Sequence, residues 1–216
     1  MARMYQDFAD CHTRPVSEVA HDALNETLLD QEWLYEGRLI SLRRDVVADA
    51  GGERHEREVV VHPGAVAIVA LLDDGRLLLV RQYRHAAGVI CLEIPAGTLD
   101  RQADGSLEPP DECARRELAE ETGYSAASWR SLGSFYTAPG FATEHMHLYL
   151  ATDLTPIDGY AGPAADEHLE LERLDWRSAL AMALAAEIND AKTLVGIFWL
   201  ARLVEGGQLS RFSALR

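Results

Sequence analysis

Basic residues are scarce: 20 Lys and Arg stand against 35 Asp and Glu in 216 residues, a formal charge of −15. A chain so acidic has no electropositive surface with which to follow nucleic acid or anionic lipid through counterion release, so neither is expected as a partner. A small anion can still be held by local cations or a metal. Cysteine is nearly absent. Cys11, Cys91 and Cys113 are odd in number, widely spaced and without a CxxC pair, which fits reduced small side chains in a cytosol better than a disulfide framework. No apolar run approaches the ~20 residues of a membrane span. Glu187, Asp190, Lys192 and Arg202 interrupt the greasy stretch from Ala179 to Leu203, which reads as soluble helices. The opening MARMYQDFADCHTRPVSEV brings acidic residues early and holds no seven-residue apolar core, so no secretory signal and a cytoplasmic location are expected. Internal repeats, low-complexity tracts and long Pro/Gly/Ser linkers are missing as well.

The hydrophobic content, 48%, suffices for one continuous core, or for one domain with a small accessory lobe. The first ~30 residues have weak periodicity. From Trp33 to Val61 strand-like runs, WLYEGRLISLRRDVVA and REVVV, flank the turn segment Asp49-Ala50-Gly51-Gly52, so residues 1–61 are expected to end in a small antiparallel β lobe ahead of a main domain at 62–216. In that domain AVAIVALL and RLLLVRQY flank Asp73-Asp74-Gly75, a hairpin signal. The unbroken apolar run of the first strand requires cover on both faces, so helices must sandwich the sheet. Strands are expected at Trp129 to Tyr136, His145 to Thr152 and Leu169 to Trp176, and helices at Arg177 to Ala186 and Ala191 to Val204. The long loop from Asp153 to Glu167 has the composition of a functional lid.

After Pro109-Pro110 the segment DECARRELAEETGY reads as one helix, with proline in its first turn, Asp111 and Glu112 at the positive dipole end and Gly123 as a left-handed terminator. At ~100° per residue, Glu117, Glu120 and Glu121 share one face. Like charges at these spacings repel by about 0.2–0.5 kcal/mol per pair unless a cation sits among them. An oxygen-only donor set suits Mg²⁺ or Mn²⁺ rather than zinc and points to phosphoryl-type chemistry. His145 and His147 alternate on a strand without a further nitrogen or sulfur ligand and read as packing residues. Leu194, Val195, Phe198, Trp199 and Leu203 have helical spacing and read as core.

The setting of the three glutamates is Gly97, then Glu108, then Arg116-Glu117-Leu118-Ala119-Glu120-Glu121-Thr122-Gly123-Tyr124. This resembles the Nudix box, G-x5-E-x7-R-E-U-x-E-E-x-G-U, with every specified position matched from Glu108 onward. Ten residues rather than five separate Gly97 from Glu108, and the surplus falls in the polar stretch DRQADGSLE, expected to bulge outward as a loop. The similarity to Nudix hydrolases runs from about Leu34 to Val204. It is greatest to the ADP-ribose pyrophosphatase branch, through Arg81-Gln82-Tyr83-Arg84, Glu93-Ile94-Pro95-Ala96-Gly97 and Pro139-Gly140-Phe141 with Glu144.

The resemblance implies an α/β/α sandwich with a mixed sheet. It also implies a metal site of Glu117, Glu120, Glu121 and the Ala96 carbonyl, holding two or more Mg²⁺ (or Mn²⁺) ions together with substrate. Arg116 would steady the box by pairing with Glu108 or Glu93, and Arg84 would grip the diphosphate, with Arg81 and Glu144 as further substrate contacts. Glu167, or alternatively Asp166, would act as general base from a loop before the last strand. Trp33, Tyr35 and Arg57 are candidates to stack on the nucleobase. The implied reaction converts ADP-ribose to AMP and ribose 5-phosphate in a homodimer. GDP-mannose is the alternative substrate, and a non-catalytic nucleotide-sensing module is the alternative of another class.

Overall fold

In the computed structural model, which describes residues 23–162 and 168–209, the chain divides between Val60 and Val61 into two compact units. The first contains a three-stranded sheet in the order β1 (Thr27–Glu36), β2 (Ser41–Ala48) and β3 (Arg54–Val61). β1 runs antiparallel to β2, with Thr27 opposite Ala48 and Glu36 opposite Ser41. At the β2–β3 turn Asp49 Oδ1 accepts the N–H groups of Gly51 and Glu53, each at 2.9 Å. β1 begins inside the stretch where the sequence has only weak periodicity. All ten of its residues are exposed, so no core selects an alternating pattern there, and pairing with β2 alone defines the strand.

The second unit comprises β4 (Ala65–Leu71), β5 (Arg76–Arg84), β6 (Val89–Glu93), β7 (Ala96–Thr98), α1 (Pro110–Thr122), β8 (Tyr124–Tyr136), β9 (His145–Pro156), β10 (Leu169–Asp175), α2 (Trp176–Leu184) and α3 (Ala191–Glu205). Its sheet runs β10-β5-β4-β9-β8, with β6 added on β5 and β7 on β4. β4 is parallel to β9, while β5, β7 and β8 join antiparallel, so the sheet is mixed. The Asp73-Asp74-Gly75 turn is a tight hairpin, closed by Leu72 N–H donating to Arg76 O at 2.8 Å and with Gly75 at φ 85°.

β4 is buried at every position, and its alternating side chains feed two cores. Ala65, Ala67, Val69 and Leu71 pack with α2 and α3 through Ala179, Ile197, Leu200 and Val204. Val66, Ile68 and Ala70 pack with α1 through Cys113, Ala114 and Leu118. The α/β/α sandwich expected from the sequence is the observed architecture. Phe198 and Trp199 are corrected from core to surface. The buried arc of α3 is Thr193, Gly196, Ile197, Leu200, Ala201, Leu203 and Val204, and at ~100° per residue the two aromatics fall outside it. Cys91 and Cys113 are free and buried, whereas Cys11 lies outside the described residues.

α1 starts on Pro110 and ends at Gly123, whose φ of 70° is left-handed. A Cβ on Gly123 would lie 2.4 Å from the Tyr160 ring, whereas one on Gly105, also left-handed at φ 84°, would meet nothing within 4 Å. Gly123→Ala is therefore expected to destabilise the protein by about 2–4 kcal/mol and Gly105→Ala by about 1 kcal/mol, the difference being the collision rather than the backbone. Urea denaturation of the two variants measures that gap.

Candidate active site

The site is assembled where β6, β7 and the first turn of α3 meet the acidic face of α1. Ile68 N–H donates to Pro95 O at 2.8 Å, which stitches the β6–β7 corner to the central strand, and Ile94 N–H donates to Thr193 Oγ1 at 2.9 Å. The corner is thus held from below and from the side. Ala96 N–H donates to Glu121 Oε2 at 3.0 Å. A Cβ at Gly97 would sit 1.8 Å from Glu117 Cδ, so only glycine lets that carboxylate come up against the β7 backbone. Glu117 and Glu121, one turn apart, are both buried, while Glu120 beside them is exposed.

Arg116 ties this face together. Its Nε and Nη2 donate to the two Glu108 oxygens at 3.0 and 2.7 Å, and its Nη1 donates to Glu117 at 2.6 Å and to Glu120 at 3.0 Å. Of the two partners open to it from the sequence, Arg116 pairs with Glu108 and not Glu93. The hydrogen bond from Arg116 holds the Glu108 carboxyl below its ordinary value of 4.5.

The ten-residue spacer between Gly97 and Glu108 leaves this geometry intact. Arg101 and Leu107 form an antiparallel bridge, Gln102 N–H donates to Ser106 O at 2.8 Å, and Gly105 makes the turn. Glu108 N–H then donates to Asp100 O at 2.8 Å. The additional residues close on themselves as a small exposed hairpin, and Glu108 is returned to Arg116.

Glu93, at the end of β6, has a side chain only 1% exposed and two cationic partners. Arg84 Nε and Nη2 donate to its two oxygens at 2.7 and 2.6 Å, and Lys192 Nζ donates to Oε2. Burial pushes the Glu93 pKa up, but Arg84 and Lys192 outweigh it and hold the group below its ordinary value. Lys192 was not singled out from the sequence. The available signal was the N-terminus of α3, where Asp190 caps the helix by accepting Thr193 N–H at 3.0 Å and also bonds Lys192 at 3.0 Å.

The other candidates have partners of their own. Arg81 pairs across the sheet with Glu172 at 2.5 Å. Glu144 accepts the Thr137 hydroxyl at 2.5 Å and faces His62 at 3.8 Å. Trp33 and Arg57 belong to the first unit, where Arg43 sits 5.9 Å over the Trp33 ring and Arg57 is paired with Glu26. The His145 ring meets His147 edge-on and lies tilted against Tyr136, at 4.8 Å between centroids in both cases. Glu167 and Asp166 fall outside the described residues. Asp49, Glu53 and His55 form a separate group of potential metal-binding side chains, but Asp49 there closes the β2–β3 turn.

Around β7 the side-chain donors are all oxygen, and Glu108, Glu117 and Glu120 share one guanidinium with Glu121 as a fourth carboxylate on the same face, which leaves a surplus of negative charge. This donor set fits hard divalent cations and would repel an unescorted phosphate.

The NUDIX domain model matches residues 61–195. The ADP-ribose pyrophosphatase of Bacillus subtilis (strain 168) is 36% identical, with 82% of this chain and 94% of that protein covered. The methanol dehydrogenase activator of Bacillus methanolicus is 38% identical, over 81% of this chain and 92% of that protein. A solved structure described as an ADP compounds hydrolase superimposes with a TM-score of 0.72 at 25% identity, covering 84% of this chain and 95% of its own. Among the described residues no helix is long and apolar enough to cross a membrane.

Because Arg116 lowers the Glu108 pKa, the pair stabilises the fold above the ordinary glutamate value of 4.5, and that contribution is lost as pH falls through the lower folded value. With chelator present, Arg116→Met is expected to be less stable than the parent at pH 7 by about 1–3 kcal/mol, with the gap narrowing as pH falls below the ordinary glutamate value of 4.5. Denaturant titrations across pH measure this, and a constant gap would contradict the assignment.

Proposed function

The chain belongs to the NUDIX family, and on that premise we propose that it hydrolyses the diphosphate of a nucleoside diphosphate sugar, ADP-ribose foremost, to AMP and ribose 5-phosphate. The names of the Bacillus subtilis relative and of the superimposed structure support the adenosine diphosphate part of this reading. The second relative is named for an effect on another enzyme and not for a substrate. The observation that carries the proposal is the approach of Glu117 and Glu121 to the β7 backbone at Gly97 and Ala96, an all-oxygen cradle.

In this reading Glu117, Glu120, Glu121 and the Ala96 carbonyl hold two or more Mg²⁺ ions, with Mn²⁺ as the alternative. Bound cations would supply electrostatic stabilisation of charge on the diphosphate oxygens. Arg116 fixes the carboxylate face and keeps Glu108 ionised. Arg84, with Arg81 and Glu144 as further contacts, binds the substrate. Glu167, or else Asp166, takes the proton of the attacking water. Trp33 and Arg57 remain candidates for the nucleobase.

Turnover of ADP-ribose, GDP-mannose, UDP-glucose, NADH and diadenosine polyphosphates, with and without magnesium, tests the substrate class, and absence of turnover on all of them would leave the nucleotide-sensing alternative. Glu117→Gln and Glu121→Gln are each expected to lower turnover by about 100-fold or more, since such electrostatic stabilisation amounts to several kcal/mol. Wild-type turnover by either variant in saturating magnesium would sink the metal assignment.

The proposal extends to a homodimer. β1 exposes Leu28, Leu29, Trp33, Leu34 and Tyr35 together, an apolar strand suited to cover by a second copy. Sedimentation at micromolar concentration is expected to give twice the 23.9 kDa chain mass, and a monomeric mass would reject it.

A further inference from the structure

Glu93 is the most secluded carboxylate near the site, and its two cations differ in how tightly they are confined. The Lys192 side chain is 11% exposed and the Arg84 side chain 41%. Lys192 is anchored through the first turn of α3, by its bond to Asp190 and by the neighbouring Thr193 bond to Ile94. Arg84 instead ends β5, beside the exposed turn that leads into β6. Glu93, which Arg84 holds, ends β6 three residues before Ala96, whose N–H meets Glu121. Arg84 is therefore tied to the strand end that runs into the cradle.

We propose that Lys192 is a positioning residue for diphosphate binding: it keeps buried Glu93 compensated while Arg84 leaves that carboxylate to grip the substrate's diphosphate. This rests on the hydrolase reading above. A guanidinium that is the sole partner of a buried carboxylate is locked in place, because its departure strands an uncompensated charge away from water. A second cation on the same oxygen removes that penalty. Lys192 cannot follow Arg84 outward because its helix is stitched to the β6–β7 corner. Arg84 then exchanges one planar pair of acceptor oxygens for another, on phosphate, with the same bidentate geometry.

Calorimetric titration with ADP in magnesium, beside steady-state turnover, tests the role. Lys192→Met is expected to weaken ADP binding and raise KM by about tenfold or more, ~1.4 kcal/mol or above, with kcat within about threefold. Lys192→Arg, which retains the cation, is expected to preserve the parent affinity. Glu93→Gln is expected to bind ADP more tightly, since Arg84 no longer leaves a charge. Adding Glu93→Gln to Lys192→Met should bring ADP affinity to within about threefold of Glu93→Gln alone, a strong non-additivity. Unchanged ADP affinity in Lys192→Met, or additive losses in the double variant with kcat falling alongside, would overturn the proposal. If Lys192→Met does not fold, weaker ADP binding by Glu93→Gln overturns it. A parent protein that binds ADP but turns over no substrate refutes the hydrolase reading alone, and one that does not bind ADP refutes this inference.

Discussion

Carboxylates withdrawn from water stay ionised only where cations or N–H groups compensate them, and the second unit is organised around that requirement. Burial by itself pushes the Glu93 pKa up, and Arg84 and Lys192 reverse the effect. Glu108 has Arg116, Glu117 has the same guanidinium, and Glu121 has the Ala96 N–H. The compensating groups come from four elements, β5, β7, α1 and α3, so the site exists only when the layers are in register. That makes its geometry a property of the tertiary fold and not of the α1 sequence alone.

β4 is what brings those layers together. Every residue of it is buried, and alternate side chains anchor α1 on one face and α2 with α3 on the other. β4 also pairs with β7, through Ala65 with Thr98 and Ala67 with Ala96. One strand therefore sets the position of the acidic helix, of the backbone it faces and of the helix that delivers Lys192. A shift of β4 by one residue would exchange its two apolar faces and separate all three.

The features legible in the sequence are those fixed by local spacing. The Asp73-Asp74-Gly75 hairpin, the ends of α1 and the shared face of Glu117, Glu120 and Glu121 follow from turn chemistry and helical period. The spacer hairpin was anticipated as an outward loop because Asp104-Gly105 favours a tight turn. Pairings across the sequence were not legible. Nothing local tells Arg84 that Glu93 is its partner, and Lys192 meets Glu93 across 99 residues. β1 was missed in part because an exposed strand carries no burial pattern, and Phe198 and Trp199 were misplaced because their period fits the helix but not its buried arc.

The placement of the α1 carboxylates also works against helix stability. Asp111 and Glu112 occupy the first turn, where the dipole favours them, but the last turn carries no basic residue and instead holds Glu120 and Glu121. Mutual repulsion adds to that unfavourable field. A helix built for stability alone would carry Lys or Arg at its end. Arg116 offsets only part of the charge, since one guanidinium is shared among Glu108, Glu117 and Glu120. The local choices that elsewhere agree with the fold disagree with it here, and such conflicts mark positions held for chemistry. A divalent cation resolves both the repulsion and the dipole mismatch at once, which is why the acidic face makes physical sense as a binding surface and little sense as a structural one.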